Sequence, residues 1–245
     1  MIAVSIVSHG HGAMVQELVV QLLALPDVSQ VIVTLNIPEE MTLPDDGRVH
    51  LVKNHATKGF GANHNAAFSV CTQPFFCPLN PDIELNGNPF SVLTKILVGT
   101  DVGMVAPRVD APGGQHEDSW RHFPTLRSLV SKSLGWGDGR YVLPHDGKPF
   151  SPEWVAGMFM LFRSDVFRAL GGFDEGFFLY YEDVDIGVRL RKAGYRIVAV
   201  PAVAIVHDAR RDSHRKWRHL RWHLSSMCRY FAKHWGRLPR CPSDS

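Results

Sequence analysis

The sequence predicts an α/β fold built on a mainly parallel sheet flanked by helices. Three observations carry that prediction. Short β-branched runs recur along residues 1–106, helical-period stretches separate them, and polar residues collect where the runs end.

The first run, Ile2–Ser8, opens into Ser8-His9-Gly10-His11 and reads as a buried strand entering a loop. Residues 14–25 place apolar side chains at 14, 15, 18, 19, 22, 23 and 25, a helical spacing that stops before Pro26. Residues 31–35 and 49–52 are strands, with Pro38, Pro44 and Asp45-Asp46-Gly47 as loop chemistry between them. Gly59 leads into a helix that runs to Val70. Phe75–Leu79 is a strand ending at Asn80-Pro81-Asp82, Phe90–Leu97 is a helix, and residues 102–106 form another strand.

Residues 110–151 mix Gly, Pro, Asp and aromatics without a period and read as a long functional loop region. A strand follows at 159–162. Helices at 165–170 and 182–193 are each closed by glycine, at Gly171-Gly172 and at Gly194. Residues 196–200 and 204–206 are strands. Ligands of such sheets bind beyond the carboxyl ends of the strands, so Ser8 to His11, Asn36, Asn54 and Asn80 to Asp82 belong to one edge.

Composition removes several classes. With 45% hydrophobic and 20% charged residues, the chain can build a core. Its longest apolar runs, 154–162 and 197–206, fall short of the roughly 18–20 residues that span a bilayer. No signal peptide is evident at the N-terminus, and Cys71, Cys77, Cys228 and Cys241 form no C-x-x-C pair. A reduced, cytosolic protein is the expectation. The net charge of +2 hides an asymmetry: residues 1–212 carry 18 basic and 23 acidic side chains, residues 213–245 carry 8 and 1.

Three groups of residues carry chemistry. Asn80-Pro81-Asp82 offers a strand-end carboxylate that can hold Mg²⁺ or Mn²⁺ together with substrate phosphates, or it is a plain turn. Glu182-Asp183-Val184-Asp185 begins a helix after the aromatic run 177–181. These acids either complement the helix dipole or place a raised-pKa base in a partly apolar cleft. His207, at a strand end before Asp208, is either a metal or phosphate ligand or a satisfied core histidine.

In order, these pieces resemble family 2 glycosyltransferases. The resemblance rests on the VSIVS strand, on Gly59-Phe60-Gly61-Ala62-Asn63-His64-Asn65, on Leu79-Asn80-Pro81-Asp82, and on the run from Val155 to His207, VAGMFMLFRSDVFRALGGFDEGFFLYYEDVDIGVRLRKAGYRIVAVPAVAIVH. That last run is similar to the bacterial rhamnosyltransferase-like branch that builds surface polysaccharides. The likeness covers roughly residues 1–213 and is most specific from Gly171 to Gly194.

The resemblance implies the GT-A fold. It divides the chain into a catalytic domain at 1–213, with a nucleotide-sugar-binding half (1–106) and an acceptor-binding, catalytic half (107–213), and a basic amphipathic tail at 214–245. It implies an inverting transfer from a nucleotide-diphosphate sugar, dTDP-rhamnose by preference, with Mg²⁺ or Mn²⁺, to a lipid-linked or cell-surface glycan precursor. Asp183 then matches the catalytic base, with Glu182 beside it. Asp82 matches the metal carboxylate and His207 the histidine completing the metal or diphosphate site. Ser8, His9, Asn36, Gly59 and Asn63, with Asn80 and Asp82, fall to the donor; Trp120, Arg121, Trp154 and Gly157 fall to the acceptor. The chain departs from the family twice. Leu35-Asn36-Ile37-Pro38 lacks the usual acidic residue that contacts the base, and Asn80 replaces the first metal-motif acid.

In the tail, apolar residues at 217, 220, 224, 227, 231 and 235 lie among Arg215, Lys216, Arg218, Arg221, Arg229, Lys233 and Arg237. This is the pattern of an interfacial helix on an anionic membrane, or of a terminal helix packed on the body. The expected setting is the cytoplasmic face of the inner membrane, without nucleic acid and with a homodimer permitted. Two rival readings stand beside the transferase. One is a non-catalytic α/β module whose tail binds RNA or membrane. The other is a nucleotidyltransferase, which would normally show a basic glycine-rich loop where Ser8-His9-Gly10-His11-Gly12 has neither Lys nor Arg.

Overall fold

Ile2, Ala3, Val4 and Ile6 of β1 (Ile2–Ser8) are completely buried, because the strand is paired in parallel on both edges, with β2 (Val28–Leu35) and β4 (Phe75–Leu79). The period of two sends Ile2, Val4 and Ile6 into one core layer and Ala3 into the other. The computed structural model describes all residues except 100, 137–138, 142–146, 209–215, 240 and 242–245, with the backbone alone at 133 and 216. Arg215 and the Lys216 side chain therefore lie outside the described residues.

Eight strands form one sheet in the order β3-β2-β1-β4-β9-β6-β10-β5. β3 (Val49–Lys53), β2, β1 and β4 are parallel, as are β6 (Val102–Asp110) and β10 (Arg196–His207). β9 (Leu161–Arg163) runs antiparallel between β4 and β6, so the sheet is continuous across both halves of the chain. β5 (Ile83–Glu84) closes the edge antiparallel to β10.

Helices cover both faces. α1 (Ala13–Leu23) and α3 (Phe90–Leu97) bury Val15, Leu18, Val19, Leu22, Phe90, Leu93 and Leu97 on one side. α2 (Phe60–Ser69), α5 (Ser164–Ala169) and α6 (Glu182–Lys192) cover the other through Ala67, Val166, Phe167, Ile186 and Leu190. Each large apolar side chain so buried contributes roughly 1.5–3 kcal/mol.

The aperiodic stretch 110–151 contains two elements that its composition concealed. β7 (Trp120–Arg121) pairs with β8 (Trp154–Val155) in a separate two-stranded sheet, and α4 (Leu126–Ser133) is capped by a Thr125–Ser128 capping box. Residues 196–207 are one strand rather than two. The register shift between Val200 and Ala204 absorbs Pro201, which cannot donate to a ladder.

The tail forms α7 (Lys216–His234). Its docking face takes only part of the apolar stripe. Ser226, Tyr230 and His234 are buried against the body, with Met227 and Phe231 packed at the margin, whereas Trp217 (81%), Trp235 (64%), Leu220 and Leu224 are exposed. Arg229 and Lys233 reach Asp174 at 2.8 and 2.6 Å, so two of the tail's cations are neutralised by the body.

Candidate active site

β4 delivers Asn80-Pro81-Asp82 to the carboxyl edge of the sheet, and β10 ends beside it. His207 Nε2 lies 3.2 Å from Asp82 Oδ2, and His207 Nδ1 lies 2.7 Å from Glu117 Oε2. The Asp208 amide donates to the Asp82 carbonyl at 2.9 Å, which pins the two strand ends together. Burial pulls the His207 imidazole down, but the hydrogen bonds and charges of Asp82 and Glu117 outweigh it and lift it to about 9. Glu117 carries no sequence signal: it stands alone in an aperiodic stretch, and only the fold brings it to His207.

Two features bear on whether a divalent cation fits. Asp82 Oδ1 is buried and has no hydrogen-bond partner among the described residues, an oxygen left for a ligand. Among the described residues, no group of three or more His, Cys, Asp or Glu side chains is arranged to hold a metal on its own. The Asp82 carboxylate with its orphaned oxygen suits a cation that takes its remaining ligands from phosphates and water, and His207 joins it only by giving up the proton that Asp82 and Glu117 hold on its ring.

The acidic pair opens α6. Asp183 is half-buried; its Oδ1 accepts from the Val184 amide at 2.8 Å and its Oδ2 from the Gly157 amide at 3.1 Å. Burial pushes its carboxyl up to about 6, against those hydrogen bonds and the positive charge of Arg121. Glu182 is buried, and its Oε2 has no hydrogen-bond partner among the described residues. Burial first, and the neighbouring Asp183 charge second, raise Glu182 well above the usual carboxylate range. The dipeptide Gly157-Met158 joins the two centres. Gly157 donates to Asp183, while the Met158 carbonyl accepts from the Asn80 amide at 2.9 Å.

The expected donor residues divide by what their side chains do. Asn36, Asn54 and Asn63 form an amide network: Asn54 donates to Asn36 at 2.9 Å and to Asn63 at 2.6 Å, and Asn36 both accepts from and donates to the Lys58 backbone at 2.9 Å. Their amides tie the ends of β2 and β3 to the start of α2. Ser8 is buried, and its hydroxyl accepts from the His11 amide at 3.2 Å; His9 lies 3.3 Å from the Asn36 amide through its ring. Beside them is a cavity of about 600 Å³ lined by Leu35, Ile37, Pro38, Glu39, Lys53 and Asn54. Glu39 supplies an acid near the end of β2 that positions 35–38 lack, and its carboxylate accepts from the Gly10 and Gly12 amides at 3.2 Å each.

Gly59 has a backbone reason to be glycine. A Cβ there would stand 2.4 Å from the Phe178 carbonyl oxygen, which accepts from the Phe60 amide at 2.9 Å. The space that glycine opens at this position is filled by the segment leading to the acidic pair.

The expected acceptor residues also separate. Trp120 is 1% exposed, packed edge-on against Phe150, and is enclosed in the core instead of lining the cleft. Its alternation partner Arg121 points the other way, pairs with Asp118 and acts on Asp183 through its charge. Trp154 is buried and donates from its indole to the His122 carbonyl at 2.9 Å, which fixes β7 against β8. Gly157 meets Asp183 directly.

Comparison with known proteins agrees with this geometry. The model of glycosyl transferase family group 2 matches residues 126–238. The chain is 30% identical over 247 residues to rhamnosyltransferase WbbL of Escherichia coli K12, covering 95% of this chain and 93% of that protein. It is 31% identical over 173 residues to the N-acetylglucosaminyl-diphospho-decaprenol L-rhamnosyltransferase of Mycobacterium tuberculosis, covering 65% of this chain and 56% of that one. Among solved structures, GalNAc-T7 with UDP, GalNAc and Mn²⁺ superposes with a TM-score of 0.69 at 15% identity, over 86% of this chain and 44% of that chain. The Pyrobaculum calidifontis mannosyltransferase with GDP-Man and Mn²⁺ superposes at 0.64 and 17% identity, over 98% and 65%. The chain therefore belongs to glycosyltransferase family 2, as a nucleotide-sugar-dependent glycosyltransferase of the GT-A fold.

Proposed function

We propose that the protein is a metal-dependent, inverting rhamnosyltransferase that uses dTDP-rhamnose and a lipid-linked glycan precursor, with Asp183 as the base. The observation that carries this reading is the Gly157-Met158 dipeptide, which ties a raised-pKa carboxylate to the loop bearing Asp82. A non-catalytic module has no use for that linkage.

Inverting transfer is one in-line displacement. Asp183 takes the proton of the acceptor hydroxyl as its oxygen bonds to the anomeric carbon, and the bond from that carbon to the diphosphate oxygen breaks with its electron pair. A carboxylate near 6 is ionised at neutral pH yet basic enough to accept a proton. Asp82 and His207 would hold Mg²⁺ or Mn²⁺, which supplies Lewis-acid stabilisation to the departing diphosphate. The cavity beside Glu39 is assigned to the nucleobase, with Ser8, His9, Asn36, Asn63 and Asn80 shaping the donor edge around it and Gly59 packed on the Phe178 backbone behind them. Arg121 and Gly157 lie on the acceptor side, with Trp154 behind them.

Rhamnose is favoured because relatives at 30% and 31% identity are named rhamnosyltransferases. A lipid-diphosphate acceptor is favoured because the mycobacterial relative's name specifies one. No helix among the described residues is long and apolar enough to cross a membrane. Attachment is assigned to α7, whose exposed Trp217, Leu220 and Leu224 lie beside Arg218 and Arg221, on the cytoplasmic face of the inner membrane. α4 and its C-cap add Leu126, Val130 and Leu134, also exposed. A panel of nucleotide-diphosphate sugars, assayed for nucleotide-diphosphate release with Mg²⁺ or Mn²⁺ and a lipid-diphosphate-linked sugar acceptor, tests the assignment. Release from dTDP-rhamnose that stops on chelation is expected; equal release from unrelated donors, or release indifferent to chelation, refutes it.

A further inference from the structure

Tyr180 and Tyr181 have φ of 70° and 67°, and they are the only non-glycine residues of positive φ among the described residues. Each costs roughly 1–2 kcal/mol in the left-handed region. Two in succession persist only where the surroundings hold them. They stand immediately before Glu182 and Asp183, and Tyr181 is the N-cap of α6. Their backbone therefore sets where the first turn of α6 carries its acids.

The contacts that hold this turn come largely from α7. Tyr180 Oη lies 2.8 Å from His219 Nδ1, and the Ser226 hydroxyl donates to the Leu179 carbonyl at 2.8 Å. The Tyr181 ring packs against His223 and Tyr230, with centroids 5.4 and 5.3 Å apart. Tyr230 is 1% exposed and donates to the Pro124 carbonyl at 3.2 Å, so the post against which Tyr181 leans is itself fixed. From the opposite side, the Phe60 amide holds the Phe178 carbonyl. One turn further along α6, Asp185 meets His234 at 2.8 Å and Lys233 at 2.7 Å.

We propose that α7 is a positioning element for catalysis: His219, Ser226 and Tyr230 hold the left-handed Tyr180-Tyr181 turn that aims Glu182 and Asp183 into the cleft. None of these α7 residues touches the reacting atoms. The inference rests on the reading of Asp183 as the base, and it adds that a helix outside the nucleotide fold keeps that base in register. A misplacement of about 1 Å in such a group costs on the order of 100-fold in rate, whereas donor binding at the far strand ends is unaffected.

The test uses the full chain. His219→Leu and Ser226→Ala should each lower kcat about tenfold or more while the KM for the nucleotide sugar stays within about twofold, the pattern of a lost transition-state alignment. His219→Asn, whose amide group stands close to where Nδ1 stood, should recover most of the rate. Tyr180→Gly, which adopts the left-handed region freely, should make the cost of Ser226→Ala smaller. A kcat within about twofold of wild type for both His219→Leu and Ser226→Ala overturns the proposal. So does a loss that neither His219→Asn nor Tyr180→Gly relieves, or one that appears equally in donor KM. Asp183→Asn is measured beside them. If it transfers at the wild-type rate, the base assignment fails, and that failure is separate from any result on α7.

Discussion

The Gly157 amide donates to Asp183 Oδ2 at 3.1 Å, while Met158, the next residue, accepts from the amide of Asn80. One dipeptide thus fixes the spacing between Asp183, the proposed base, and the loop bearing Asp82, the proposed diphosphate side of the site. The proposed inverting transfer needs such a spacing, because its base and its diphosphate site would act on one sugar from opposite sides.

The proposed base, Asp183, would have to be ionised to act, and burial raises its carboxyl to about 6. The rate constant kcat/KM should therefore fall about tenfold per pH unit below that value and level off above it. A pH–rate profile checks this; a limb near pH 4 would mean an ordinary exposed carboxylate carries the reaction.

Asp82→Asn should reduce turnover about 100-fold or more, since a few kcal/mol of charge stabilisation depend on the cation. It should also weaken Mn²⁺-dependent nucleotide binding, measured by calorimetry. His207→Ala should act in the same direction, because Asp82 then loses its 3.2 Å partner.

Asp185 is completely buried, with Arg189 at 2.7 Å and with Lys233 and His234 from α7. Burial pushes its carboxyl up, but His234, Arg189 and Lys233 outweigh this and hold it below the usual range. A depressed folded-state value means that the group's contribution is present above the unfolded value of about 3.9 and is lost as pH falls towards the folded one. Asp185→Asn should cost about 3–5 kcal/mol at pH 7 by leaving cations uncompensated. That cost should shrink in acid melts below pH 4.

Ion pairs to the body divide the basic residues of α7. Arg229 belongs to Asp174, so reversing it would disturb the fold. Arg218→Glu with Arg221→Glu should instead release the protein from anionic vesicles. With roughly 1 kcal/mol per basic residue at such a surface, binding should weaken about 30-fold or more. Cosedimentation of the variant and the wild type to the same extent would remove α7 from the membrane.

Much of this was legible in the sequence, for identifiable reasons. Strands β1, β4 and β6 are β-branched or apolar runs bounded by polar strand ends, and local pattern suffices for them. Asp82 and His207 stand at strand ends more than a hundred residues apart, and parallel topology alone puts such ends on one edge. Glu117 was illegible because a lone acid in an aperiodic stretch has no pattern to betray it. Trp120 carried the wrong inference for a related reason: in a two-residue strand, alternation decides which side chain faces the cleft, and here Arg121 does. Gly59 invited a ligand where the Phe178 backbone already fills the space. The α7 stripe was read correctly as amphipathic, but period says nothing of which face docks. The body takes the row through Ser226, Tyr230 and His234 with Met227 and Phe231 at its margin, and Trp217, Leu220, Leu224 and Trp235 of the apolar row are left outside.

The most direct test of the central claim is single-turnover transfer by Asp183→Asn, with donor binding measured on the same protein. Asparagine keeps the side chain's shape and one oxygen to accept from the Val184 amide, while the acceptor for the Gly157 amide and the proton acceptor are gone. Transfer reduced about 100-fold or more, with nucleotide-sugar affinity unchanged, is the predicted result. Transfer at the wild-type rate would contradict the role of Asp183 as the base.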